Sequence, residues 1–171
     1  MKNLLIILIL TTIFSCAAKK HNQTATSVEL LSGCSKNGTC TIKLMKNKRM
    51  LVTQDEFGST QYSTEPNAEK DIIVFNYSKT VKGNLQDASY REEIIFEIGN
   101  NLSEFNLSDA ALQNTKMLFG RFCYCKGQTG YYKVNKGKLS VTEDSKHNII
   151  TVDFTISEVP QVIQQISFSI K

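Results

Sequence analysis

The chain has few of the residues on which many enzyme mechanisms depend. Of its 171 residues none is tryptophan, two are proline and two are histidine. His21 lies in a polar stretch near the start and His147 follows a polar turn, so His147 would be the single folded base for histidine-dependent catalysis. The same scarcity leaves little for a metal site built on imidazole nitrogens. We therefore predict no enzyme activity, no metal site and no cofactor.

Other catalytic and cofactor-binding patterns are also missing. Neighbouring carboxylates occur at Asp55-Glu56, Glu92-Glu93 and Glu143-Asp144. Because adjacent strand residues face opposite sides, such pairs cannot act jointly at one site, and we interpret them as solvated turn and edge charges. The glycines form no phosphate-binding loop. Basic and acidic residues are interspersed within a net charge of +4, which predicts no nucleic-acid partner.

The chain starts with an apolar run that is too short to be a permanent transmembrane helix. The run extends from Leu4 to Phe14, which is 11 residues, whereas a helix needs about 20 to span the hydrocarbon core of a bilayer. Lys2 precedes it as a small positive region, and Ser15 then places a small residue directly before Cys16. This order is the layout of an export signal.

With a cysteine at the cleavage point, residues 1–15 resemble the signal peptide of a bacterial lipoprotein, whose lipobox ends in a small residue and the cysteine that is lipidated. The resemblance implies lipidation of Cys16 and attachment to a membrane through that lipid. Ala17 is not acidic, and the acidic run of surface-exported lipoproteins of the Bacteroidota is missing. The resemblance therefore implies an outer-membrane anchor that faces the periplasm. Ordinary secretion and an uncleaved anchor are the alternatives.

The mature chain divides into a tether and a domain. Residues 16–27 comprise the lipidated cysteine and a polar, small-residue-rich segment without apolar periodicity, which predicts a flexible tether. Fully extended, residues 17–27 would reach at most roughly 36–40 Å. Residues 28–171 are enough for one globular domain with a real core.

Short β-branched segments separated by turn residues recur along the predicted domain. Ile72 to Tyr77 is a continuous run of β formers and predicts a central strand covered on both faces. Asn37-Gly38 predicts a two-residue hairpin, and Thr41–Met45 and Met50–Thr53 predict the two strands of a second hairpin with a basic tip. The plausible helical stretch is Asn100–Gln113, as a crossover between sheets. We predict an all-β domain with about 8–9 strands, either an antiparallel β-sandwich or a closed β-barrel, with one short crossover helix.

The mature chain keeps four cysteines besides Cys16, and these are Cys34, Cys40, Cys123 and Cys125. An even number in an exported chain favours disulfides, and three pairings are open. On a strand, a bond between Cys123 and Cys125 would be strained, because extended Cα atoms two residues apart lie near the upper distance limit. If the Cys34–Cys40 segment is a hairpin, its arms could instead cross-pair with that strand. A redox-active thiol pair or soft-metal site is the alternative, although neither pair has Cys-x-x-Cys spacing.

Three tyrosines, Tyr124, Tyr131 and Tyr132, lie close together around a loop with two glycines. If exposed, they could stack on a sugar or a peptide, and if not, they pack in the core and across strands.

We predict an exported, lipid-anchored envelope protein whose β domain has a non-enzymatic binding or structural role toward an unknown envelope partner or ligand. The alternatives are a thiol-handling, soft-metal-handling or redox lipoprotein that uses Cys123 and Cys125, and a small-ligand carrier if the domain is a barrel.

Overall fold

The computed structural model describes residues 27–81, 83, 87–144 and 147–171, so the predicted export signal, Cys16 and most of the predicted tether lie outside the described residues. The described residues form twelve strands and one 3-10 helix, Asp109–Thr115. The strands are β1 (Val28–Ser32), β2 (Gly38–Met45), β3 (Lys48–Gln54), β4 (Thr60–Pro66), β5 (Lys70–Lys79), β6 (Tyr90–Gly99), β7 (Phe105–Ser108), β8 (Leu118–Cys123), β9 (Gly130–Lys133), β10 (Gly137–Asp144), β11 (His147–Phe154) and β12 (Gln165–Ile170). Among these residues no helix is long and apolar enough to cross a membrane.

The strands form two antiparallel sheets that pack as a β-sandwich. One sheet has the order β1-β12-β11-β10-β7, and the other has the order β2-β5-β6-β8-β9-β4-β3. Neither sheet closes into a barrel, so the sandwich is the correct one of the two predicted architectures. The strand number exceeds the predicted 8–9, because a strand as short as the four-residue β7 is hard to recognise by alternation.

The 3-10 helix is the predicted crossover, since it connects β7 of the five-stranded sheet to β8 of the seven-stranded sheet. It is shorter than the predicted stretch, because residues 105–108 are already paired with β10 as strand β7. The carboxylate of Asp109 accepts a hydrogen bond from the backbone N–H of Gly137 at 3.0 Å, which fixes the helix start to β10.

The central strand β5 is covered on both faces, as the run Ile72–Tyr77 predicts. On the face toward the five-stranded sheet, Ile73 and Phe75 are fully buried in the main core. On the opposite face, Ile72 and Val74 pack in a second cluster with Met50 of β3. Since β3 is an edge strand of the same sheet, the sheet curls until the β3–β4 hairpin lies over the outer face of β5, β6 and β8.

Two of the predicted hairpins are chain reversals without strand pairing. At Asn37-Gly38 the backbone N–H of Gly38 donates to the carbonyl of Ser35 at 3.2 Å, but β1 and β2 belong to different sheets. Likewise, β2 and β3 follow each other through residues 46–47 and lie at opposite edges of the seven-stranded sheet. The hairpin predictions were therefore wrong, because turn residues determine a local reversal and not the strand with which the next segment pairs.

Candidate functional site

A row of four side chains crosses the inner face of the seven-stranded sheet near one end of the sandwich. The register places Cys40 opposite Tyr77, Tyr77 opposite Glu92, and Glu92 opposite Arg121. We call these four residues the inner row. We call the end of the sandwich that contains this row, the corner at residues 33–37 and the loop at residues 155–164 the polar end.

Glu92 holds the loop at residues 155–164 onto the seven-stranded sheet. The side chain is fully buried, and its carboxylate accepts hydrogen bonds from the backbone N–H groups of Val162 at 2.6 Å and Ile163 at 2.8 Å. It also accepts a hydrogen bond from the hydroxyl of Tyr90. The interpretation of Glu92 as a solvated charge was therefore wrong. The missed signal is the period of two, which puts Glu92 on the same face as Ile94.

Arg121 is a buried cation that no motif in the sequence marks. Its residue is 7% exposed, and its Nη1 atom donates to the backbone carbonyl and the side-chain amide oxygen of Gln128, both at 3.0 Å. Its Nε atom faces the hydroxyl of Tyr90 at 3.4 Å, and its guanidinium lies 5.3 Å from the centre of the Tyr90 ring. The hydroxyl of Tyr90 thus bridges the buried charges of Arg121 and Glu92.

This position changes the acidity of Tyr90. Burial and, next in size, the hydrogen bond that its hydroxyl donates to Glu92 together raise the pKa of Tyr90 to about 12, while Arg121 opposes the shift. The neutral hydroxyl is therefore the favoured form in the folded protein.

Glu93 points to the opposite face of β6 from Glu92, as expected for adjacent strand residues, but it is also buried. Its carboxylate accepts hydrogen bonds from the hydroxyls of Tyr131 at 2.8 Å and Tyr62 at 3.2 Å, and from Arg91 at 2.9 Å. Burial and the negative charge of Glu93 raise the pKa of Tyr131, and the same two causes raise the pKa of Tyr62. The interpretation of Glu93 as a solvated charge was wrong, since its buried carboxylate is the centre of a hydrogen-bonded network with Tyr62, Arg91 and Tyr131, which we call the Glu93 network.

The structure separates the three tyrosines of the predicted ligand-contact group. Tyr124 is 81% exposed in the loop after β8. Tyr131 has its hydroxyl committed to Glu93, and its ring packs edge-on against Tyr62 and Phe122. Tyr132 packs against the main core. Ligand contact remains a prediction, and Tyr124 is the member of the group with the exposed ring.

The four domain cysteines form two local pairs at disulfide distance. We call Cys34–Cys40, with Cα atoms 5.7 Å apart, the corner disulfide, and Cys123–Cys125, with Cα atoms 5.2 Å apart, the loop disulfide. The prediction of disulfides is confirmed, but the argument against a direct bond between Cys123 and Cys125 was wrong. That argument assumed an extended strand, whereas β8 ends at Cys123 and the chain then bends.

Both disulfides lie at the polar end, where two cavities also open. One cavity of about 300 Å³, which we call the Arg121 cavity, is lined by Asn37, Tyr77, Lys79, Tyr90, Arg121 and Val162 among others. A second cavity of about 630 Å³ shares Lys79 and Tyr90 with it and reaches Cys123 and Tyr124. Nowhere in the described part of the chain do three His, Cys, Asp or Glu side chains come together as a metal-binding group.

No protein-family model, no curated protein sequence and no solved structure matches this chain. The inference of function therefore depends on the amino-terminal segment and on the geometry of the polar end.

Proposed function

We propose that this chain is an exported, lipid-anchored protein of the cell envelope whose β domain is a non-enzymatic binding module. The observation that carries the anchoring is the order of Lys2, the apolar run, Ser15 and Cys16. The observation that carries the binding is the Arg121 cavity, a concave site with polar groups at one end of a rigid sandwich. The two local disulfides support an oxidising compartment outside the cytoplasm.

The engagement of the buried charges supports binding rather than catalysis. Each oxygen of Glu92 already accepts a hydrogen bond from a backbone N–H group, and these bonds hold the loop at residues 155–164 in place. Glu93 is similarly occupied by two tyrosines and Arg91. A carboxylate that is fully hydrogen-bonded by the fold is a poor general base, because proton uptake would require these bonds to break.

The direction of β1 supports an exposed ligand site. The tether precedes Val28, and β1 then runs for five residues toward the corner disulfide. At about 3.3 Å per residue, the start of β1 and the polar end are roughly 16 Å apart. The predicted tether therefore joins the domain at the end opposite the polar end, which leaves the polar end unobstructed by the anchor.

The two alternative functions require different features of the domain, free thiols in one case and a closed barrel in the other. A thiol-handling or soft-metal function of Cys123 and Cys125 requires free thiols, so a thiol count on the purified, unreduced protein separates it from the proposed function. A carrier with its ligand inside a barrel has no support in two open sheets.

The anchor is tested by replacing Cys16 with alanine in the full chain and fractionating the cells. We expect the wild-type protein in the membrane fraction, carrying acyl chains on its mature amino-terminal peptide, and we expect Cys16→Ala to leave that fraction. Cys125→Ala is the matched control, since it removes a cysteine without changing the signal. Membrane partitioning of Cys16→Ala at the wild-type level would contradict the proposal.

A further inference from the structure

We propose that the Arg121 cavity binds the oxyanion group of a small organic ligand, a carboxylate or a phosphate. This inference rests on the proposed binding function and names the ligand class for the polar end. It is carried by two buried side chains that line the same cavity, each with a hydrogen-bond donor that no other described residue engages.

The first donor is the hydroxyl of Tyr77. The residue is 1% exposed and lines the cavity. Among the described residues no hydrogen bond engages this hydroxyl, and no fully buried side-chain nitrogen or oxygen lacks a partner. The hydroxyl must therefore be accessible from the cavity. A hydroxyl in an otherwise buried ring is costly to leave without a partner, so a ligand or water has to satisfy it.

The second donor is the Nη2 atom of Arg121. The partners of the guanidinium within the described residues use only Nε and Nη1. By the same reasoning Nη2 opens into the cavity that Arg121 lines. No carboxylate of the described residues forms an ion pair with Arg121, and Glu92 is occupied by two backbone N–H groups and Tyr90. The positive charge of Arg121 is thus available to an anion.

The other residues that line the Arg121 cavity also favour an anion. Lys79 adds a second cation without an ion pair in the described part of the chain, and no aspartate or glutamate lines the cavity. Asn37 and Ser35 add further polar groups at the corner. Two cations around donors favour an oxyanion, to which arginine donates strong hydrogen bonds.

The apolar residues in the lining of the cavity indicate which kind of molecule carries the oxyanion. Pro160 and Val162 present apolar surface to the cavity, and Tyr90 lines both this cavity and the neighbouring one. A volume of about 300 Å³ is at the small end of ligand sites. We therefore expect a small anion with an apolar body rather than a bare inorganic ion to fit best.

Calorimetric titration of the purified full chain at low ionic strength tests the ligand class. The probes are benzoate, phenyl phosphate, inorganic phosphate and benzamide, the last being the uncharged counterpart of benzoate. We expect benzoate or phenyl phosphate to bind, and which of the two binds tighter distinguishes a carboxylate from a phosphate ligand. At about ten times Kd, the ligand should raise Tm by roughly 3–6 °C. Equal binding of benzamide, or no binding of any anion, would overturn the inference.

Substitutions assign the binding to this cavity. Tyr77→Phe removes only the unpartnered hydroxyl and should weaken anion binding about 10-fold or more. Lys79→Gln, at an exposed cation, should weaken it roughly 2–5-fold. The matched controls are Tyr124→Phe, in the neighbouring cavity, and Lys138→Gln, on the other sheet, and both should bind as the wild type does.

The outcomes separate this inference from the proposed function. If anions bind but neither Tyr77→Phe nor Lys79→Gln weakens them, the cavity is not the site, while a binding module remains supported. Release of Cys16→Ala from membranes reports on the anchor alone and is independent of every titration.

Discussion

Replacing Glu93 by glutamine perturbs the Glu93 network without changing the size of the side chain. Glu93 has 8% of its side chain exposed and accepts hydrogen bonds from Tyr62, Tyr131 and Arg91. Glutamine can still accept from the two tyrosines through its amide oxygen. Its amide nitrogen then faces Arg91, so that donor meets donor and the third hydrogen bond is lost.

The expected loss follows from counting these bonds. A hydrogen bond to a charged group contributes about 1 kcal/mol more than one between neutral groups, and two such bonds become neutral here. The ion pair with Arg91, whose side chain is 40% exposed, adds about 0–1 kcal/mol because water screens it. The sum is roughly 2–3 kcal/mol, which for a domain of this size lowers Tm by about 4–12 °C.

Thermal and urea unfolding of Glu93→Gln beside the wild type measure this loss, and Glu56→Gln is the matched control at an exposed turn position. The substitution should also lower the pKa of Tyr131, because the charge of Glu93 adds to burial in raising it. Absorbance titration of the tyrosines reports that change independently of stability. A Glu93→Gln protein that melts within about 1 °C of the wild type would refute the reasoning.

Three further results are expected. Gly120→Ala should destabilise the domain by about 1–3 kcal/mol in urea unfolding, because an added Cβ would lie 2.7 Å from two aromatic rings, whereas Gly99→Ala, with 3.9 Å of space, should stay near the wild type. Peptide mapping without reduction should find the corner and loop disulfides as local pairs, and each should contribute roughly 2 kcal/mol or less, since both close short loops. Stability should fall as the pH rises from 10 through about 12, because the raised pKa of Tyr90 favours the neutral form in the folded state, and Tyr90→Phe should reduce that fall.

The strand content of the domain could be predicted from the sequence, because alternation and turn residues act over a few positions. The run Ile72–Tyr77 also indicated a strand covered on both faces, and the opposite facing of Glu92 and Glu93 followed from the period of two. The partners of these strands could not be predicted in the same way. The sequence between β2 and β3 predicts a hairpin, yet the two strands lie at opposite edges of one sheet.

The residues of the polar end could not be predicted from the sequence for a related reason. Arg121 carries no motif around it, and Glu92 looks like one of several solvated carboxylates. Their role depends on contacts between residues far apart in the chain, such as the bonds from Glu92 to Val162, which is 70 positions away. Burial of a charge becomes visible only when such contacts are known.

The sequence by itself determined that the domain is all-β, and it contains the predicted export signal and Cys16, on which the proposed anchor rests. These properties are encoded in composition and in short-range order along the chain. The tertiary structure decided which cysteines pair, and it placed the β3–β4 hairpin over the outer face of the sheet. It also brought Tyr77, Lys79 and Arg121 together in the lining of one cavity. The physical reason is that strand pairing and the satisfaction of buried polar groups are settled by long-range contacts, which no local pattern contains.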